Sequence, residues 1–360
     1  MKYLKNSFVG LALIILLLSC DNKVNNSELL TIPVDINQDQ SVLLSEISEN
    51  IQAIELEITN ESLISRIKRV LIGSHHIVVW DSQSGVLLFN KTGKYIRKIG
   101  TQGKGPGEYA FLRDITINNK DNFLYFLDSN KLICYNTEGE FIKQVSLNQV
   151  HFTKYINYIN DEILLISEQY ESEKPRIPMI FFFNKDLTII DSLKIREVID
   201  PLKGIYTNPY NDFITQDKNK IHLYFSEQGQ EAIIRDTLYY LEKKQLFPYL
   251  KLQFPNNGID SDGKKLIYIL NIYKSNRFVF SQYVVDKRGN EVLFFCYDTK
   301  TKKGASMKDG YTDDIYTWEK VSIRPFSFDA EKFYYLHTNM DDTEDMEEPN
   351  PTLYIGTLKK

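Results

Sequence analysis

Cysteine is nearly missing from this chain: three occur in 360 residues. No C-x-x-C, H-E-x-x-H or Cys/His cluster is present, so neither a zinc framework nor a disulfide scaffold is expected, and no metal or other cofactor. Cys134 (in LICY) and Cys296 (in FFCY) each lie in an apolar run and read as small buried hydrophobes without a mutual bond. Alanine is scarce and helix-forming patterns are thin, which argues against a helical fold. No G-x-S-x-G nucleophile motif occurs, and His75, His76, His151, His222 and His337 are scattered. A basic surplus is lacking too. The 43 Lys and Arg stand against 48 Asp and Glu, a net charge of −5. A nucleic-acid partner is therefore not expected, and no polybasic patch is available to hold anionic lipid.

What is abundant begins at the N-terminus. Lys2 and Lys5 precede an almost unbroken apolar run from Phe8 to Leu18, which ends in Ser19-Cys20. A basic start and a short apolar stretch are the parts of a secretory signal. The run is shorter than the ~20 residues that a membrane-spanning helix needs. A small residue before a lone Cys resembles the lipobox of bacterial lipoproteins. Residues 1–19 thus read as a signal peptide and Cys20 as the lipidated first residue of a 341-residue mature chain. Loss of Lys2 and Lys5 leaves 41 basic against 48 acidic residues, or −7. The polar stretch DNKVNNSE makes residues 20–30 a tether, and residues 31–360 the folded domain.

Aromatic residues are plentiful, with 23 Tyr and 21 Phe. Runs such as HHIVVW, FLYFLD, IHLYF, EVLFFCYD and KFYYLH are β-branched and aromatic, short, and bounded by turn formers. Two of them belong to an internal repeat. Residues 86–99 (VLLFNKTGKYIRKI) and 132–145 (LICYNTEGEFIKQV) align at an offset of 46, matching Asn90 with Asn136 and Gly93 with Gly139. Each copy is a hairpin around an Asn-x-x-Gly turn. A third copy, IFFFNKDLTIIDSL, has Leu187 where the others have Gly. Strand units recurring every ~40–50 residues are the mark of propeller blades, because one sheet cannot bury both its faces alone. The expected fold is all-β: a six-bladed β-propeller of four-stranded antiparallel blades. The early strand IQAIELEI would complete the last blade and close the ring.

The LLLSC signal end, IPVDI followed by IELEI, the hairpin FNKTGKYIRKIG, the loop GTQGKGPGEY, DTLYYL and the terminal NPTLYIGTLK together resemble a known group. They are similar to the six-bladed β-propeller lipoproteins of Bacteroidetes-type bacteria, which are related to NHL-repeat propellers. The resemblance implies an exported lipoprotein and carries over no catalytic residue.

Residue chemistry singles out few sites. GTQGKGPGE lacks the spacing of a phosphate loop and reads as a crossing between blades. Arg176-Ile177-Pro178 comes without the repeated boxes of sialidase propellers. The acidic stretch within residues 341–348 lacks the spacing and glycine of a calcium loop and reads as a solvated hairpin. Arg113, Tyr206, Tyr210, Trp318 and Arg324 lie near loop-to-strand junctions, where propeller faces are built, and are the binding candidates. The expected function is a rigid ring that presents a face to a glycan, peptide or envelope protein. It would be held by its lipid at an envelope membrane, on the periplasmic side. The alternative is a propeller hydrolase, a lactonase or glycan-cleaving enzyme, which would gather carboxylate, His or Asn side chains at one mouth of the central channel.

Overall fold

The computed structural model describes residues 29–37, 39–169, 177–196, 214–217, 220–226, 234–263, 265–286, 291–326, 329–338 and 349–360. Residues 1–19, Cys20, Arg176, Tyr206, Tyr210 and the acidic stretch 341–348 lie outside these residues.

Nearly all of the regular secondary structure in the described residues is strand, arranged as successive sheets in chain order. The first sheet comprises Ile67–Ile72, His76–Asp81, Gly85–Asn90 and Tyr95–Ile99. The second comprises Leu112–Asn118, Phe123–Asp128, Lys131–Asn136 and Phe141–Ser146. Thr153–Ile159, Glu162–Gln169, Ile177–Phe183 and Ile189–Lys194 form the third. Ile214–Asp217, Lys220–Leu223, Thr237–Glu242 and Gln245–Gln253 form the fourth. Leu30–Pro33 adds a fifth, parallel strand to its outer edge. The fifth sheet is Ile267–Lys274, Phe278–Val285, Glu291–Asp298 and Lys303–Lys308. The sixth pairs Arg324–Phe326, Asp329–His337 and Thr352–Leu358 with the early strand Ser48–Glu55. Meandering four-stranded sheets packed face to face are the architecture of a β-propeller.

Alternation sends one set of side chains from each strand to each neighbouring sheet. Leu71, Val78 and Leu88 of the first sheet meet Ile115, Leu124 and Phe126 of the second. Tyr125 and Cys134 of the second meet Ile156, Leu165 and Phe183 of the third. Like clusters join third to fourth, fourth to fifth and fifth to sixth. A further one joins Phe326, Tyr334 and Leu353 of the sixth to Val70, Ile77 and Phe89 of the first. Phe89, Phe126, Phe182, Phe280, Tyr283 and Phe295 are each under 2% exposed, and full burial of such a side chain stabilises by about 1.5–3 kcal/mol. Cys134 and Cys296 are buried and free, in different sheets.

The repeated turns show why the hairpins recur. Asn90 Oδ1 accepts the N–H of Thr92 and Lys94, and Gly93 N–H returns to Asn90 O at 3.1 Å. Asn136 does the same for Glu140 and Gly139. The glycines have φ of 88° and 85°, a region L side chains avoid. In the third copy Asn184 and Leu187 make the same bonds, with Leu187 at φ 62°. That strain is offset because Leu187 is buried in the cluster beneath Cys134 and Leu132.

Candidate functional site

The first strands of adjacent sheets run side by side in the same direction. Ile156 N–H donates to Asp114 Oδ2 and Tyr158 N–H to Thr116 Oγ1, both at 2.9 Å. Ser74 N–H donates to Asn119 Oδ1 at 3.0 Å. The molecule therefore has two unlike ends. At its leading face the chain enters each first strand. At its turn face tight turns link first strands to second.

The leading face holds two of the sequence candidates. Arg113, on the first strand of the second sheet, is exposed. Arg324 opens the first strand of the sixth sheet and is half-buried. Trp318 is not gathered with them. It sits at φ 59° and 72% exposed in the loop 313–319. This loop packs on the rim of the sixth sheet, with Tyr316 against Tyr354 and bonded to Ile51 O. Tyr206 and Tyr210 lie outside the described residues. Beneath Arg113, Arg69 Nη1 meets Asp114 Oδ1 at 2.5 Å and Oδ2 at 2.6 Å, both residues buried. Burial pushes the Asp114 carboxyl up, against the pull of Arg69 and of the Ile156 and Ile115 N–H groups.

The turn face carries a cluster that reading the sequence missed. Asp217 ends the first strand of the fourth sheet, Asn276 lies in the first turn of the fifth, and Glu331 begins the second strand of the sixth. With Gln216, Asp329 and Lys360 they line a pocket of about 470 Å³. Asn276 N–H donates to Glu331 Oε1 at 2.6 Å. Glu331 Oε2 and Asp217 Oδ1 are enclosed without a hydrogen-bond partner. Burial, then the Asp217 and Asp329 carboxylates, push the Glu331 carboxyl up, opposed by the Asn276 N–H and Lys274.

Lys274 extends this cluster inward. Its Nζ bonds Ser275 O at 2.8 Å and lies 5.6 Å from the Tyr249 ring. His222, 1% exposed, packs on Tyr249 at 4.8 Å between centroids, and neither ring nitrogen has a partner. Burial holds its imidazole down to about 4, helped by the Lys274 and Lys220 ammonium groups. In the sequence His222 sits in an ordinary strand alternation, and Asp217 and Glu331 flank turns of drifted units. Only their convergence in space marks them. Chemically the pocket offers surplus acceptors to a donor-rich ligand. A wider cleft of about 810 Å³, lined partly by Arg196, Phe225, Arg235 and Phe247, contains none of the orphaned polar atoms of the described residues. Among the described residues no group of three or more His, Cys, Asp or Glu side chains is arranged to hold a metal, and no helix is long and apolar enough to cross a membrane.

The chain matches DUF4934, a domain of unknown function, over residues 29–359, and belongs to that family. No curated protein matches it. Among solved structures it is similar to a protein of Bacteroides fragilis assigned as exported, at 19% identity and TM-score 0.64, covering 92% of this chain and 99% of that one. A DUF4221 member from Bacteroides vulgatus superposes at TM-score 0.51 and 12% identity, covering 87% and 97%. The WD40 domain of Neurospora crassa Pan2 gives 0.40 at 11% identity, covering 82% and 76%.

Proposed function

We propose that this protein is an exported, lipid-anchored binding module, built as a closed six-bladed β-propeller, that holds a small donor-rich ligand at its turn face. The count of six rests on the six sheets of four or five strands among the described residues. Closure rests on the core cluster shared by the sixth and first sheets, and on the pairing of Ser48–Glu55 with Thr352–Leu358. Export and lipidation rest on residues 1–20 of the sequence, in keeping with the Bacteroides fragilis relative's assignment. The periplasmic side is the favoured location, and a glycan, peptide or envelope protein remains the class of partner.

The observation that carries the ligand pocket is the pair of enclosed, partnerless oxygens on Asp217 and Glu331. A buried acceptor without a donor costs about 1–3 kcal/mol. A sugar hydroxyl or an ammonium group arriving in the pocket relieves that cost. Calorimetry against sugars, polyols, amines and short peptides tests the reading. Asp217→Asn and Glu331→Gln should each weaken the bound compound at least tenfold, and a panel without any binder removes the proposal.

The convergence of Asp217, Glu331 and Asn276 also gives the hydrolase reading its one specific support. A lactone, ester and glycoside turnover screen, with and without calcium, separates the two. Turnover abolished by Glu331→Gln makes the protein an enzyme.

A further inference from the structure

The leading face shares no residue with the turn-face pocket, and its surface chemistry is opposite. On the first sheet, Arg66 and Lys68 are exposed, and so is Arg113 on the second. Among the described residues none of the three makes an ion pair. The carboxylates nearby are already engaged. Asp81 accepts the N–H groups of Ser65, Arg66, Gln83 and Ser84. Asp128 accepts those of Ala110 and Phe111, and Glu168 pairs with Lys154 at 2.5 Å. The same face carries two largely exposed aromatic rings: Phe111, 70% exposed, before the first strand of the second sheet, and Phe152, 54% exposed, before that of the third. Both occupy the residue or two before a first strand, so they lie on this same face.

We propose that the leading face of the first three sheets docks an acidic polysaccharide. Its carboxylates would take Arg66, Lys68 and Arg113, and its sugar rings would stack on Phe111 and Phe152. Guanidinium groups present a planar fork that matches a carboxylate, and an exposed aromatic ring stacks on the apolar face of a sugar.

Charge density selects the polymer. Duplex nucleic acid carries one charge per ~1.7 Å, and a chain of net charge −5 repels it. A uronate polymer carries at most one charge per sugar ring. A lipid surface requires a continuous apolar face. Here the apolar groups are single rings on separate sheets, and exposed Glu61 lies on the loop before the first sheet.

The test is affinity electrophoresis and calorimetry of the full chain with polygalacturonate, neutral galactan, phosphatidylglycerol vesicles and duplex DNA. Polygalacturonate should bind, with affinity falling as salt rises, and galactan at least tenfold more weakly. Arg66→Ser/Arg113→Ser and Phe111→Ser/Phe152→Ser should each reduce polygalacturonate binding tenfold or more. Their melting temperatures should stay close to that of the parent chain, since Arg66, Arg113 and Phe111 are exposed and Phe152 is 54% exposed. Equal binding of galactan, preference for vesicles or DNA, or full affinity in both double variants overturns the proposal. So does no binding at all. None of these outcomes bears on the small-ligand pocket.

Discussion

At the leading face the acids are consumed and the cations left over. At the turn face the reverse holds. The difference follows from what backbone each end must satisfy. Where the chain enters or crosses to a first strand, N–H groups lie outside the sheet ladder. Asp81, Asp114 and Asp128 accept them, leaving Arg66, Lys68 and Arg113 without carboxylate partners among the described residues. At the hairpins the acceptors are amides: Asn90, Asn118, Asn136 and Asn184 bond the N–H groups of their own turns. Acids at the turn face are thus free for ion pairs, as Lys185 with Asp121 at 2.9 Å, or are left over, as at Asp217 and Glu331. A propeller fold of modest net charge becomes polarised from one face to the other because buried polar backbone must be paired.

The largest effect that tests this account is loss of a leading-face carboxylate. Asp114→Ala should cost about 3–5 kcal/mol, because it takes the carboxylate partner from the buried Arg69 guanidinium and strips an acceptor from Ile156 N–H. Denaturant unfolding measures it. A loss under about 1 kcal/mol would mean that strand starts do not depend on these acids.

A smaller effect belongs to the other end. His222 is neutral in the fold, with its imidazole held down to about 4, against about 6.5 in the unfolded chain. Between those values the unfolded state binds more protons, so stability falls as pH drops from 6.5 towards 4 and levels off below. The full amplitude is at most about 3 kcal/mol. Thermal unfolding across that range should show the decline, and His222→Phe should flatten it. An unchanged slope in the variant would assign the pH dependence to another group.

The sequence made one part of this legible and hid another, for a physical reason. Hairpins depend on local chemistry, so FNKTG and YNTEG display their turns, and the same Asn-led bonds survive where Leu187 replaces glycine. Even so, the repeat conceals a difference. A Cβ at Gly93 would lie 1.9 Å from Glu55 O, on the early strand of the sixth sheet, while one at Gly139 would meet nothing within 3.5 Å. A loop-to-strand junction is readable in the sequence, as at Arg113, whereas the course of the 313–319 loop, tied to Tyr335 through Asp313, is not. The Asp217–Glu331 pocket joins residues more than a hundred positions apart on three drifted units. Nothing in local composition separates them from other acids.

The smallest expected effect carries opposite signs at the two ends. Glu168→Gln at the leading face removes the buried carboxylate partner of Lys154 and should lower stability by about 1 kcal/mol at pH 7. Glu331→Gln at the turn face keeps an acceptor for Asn276 N–H and removes a carboxylate crowded by Asp217 and Asp329. Stability should rise, by about 0.5–1 kcal/mol after allowance for solvent screening. The sign has a pH signature. Because the Glu331 carboxyl is pushed above its ordinary value, the native state keeps its proton longer than the unfolded chain. The wild type is then favoured at low pH and loses stability as pH rises past about 4.5. The gain from Glu331→Gln should accordingly be present at pH 7 and vanish by pH 4. If both substitutions lower stability equally at pH 7, the turn face holds no surplus of acceptors and the two ends are electrostatically alike.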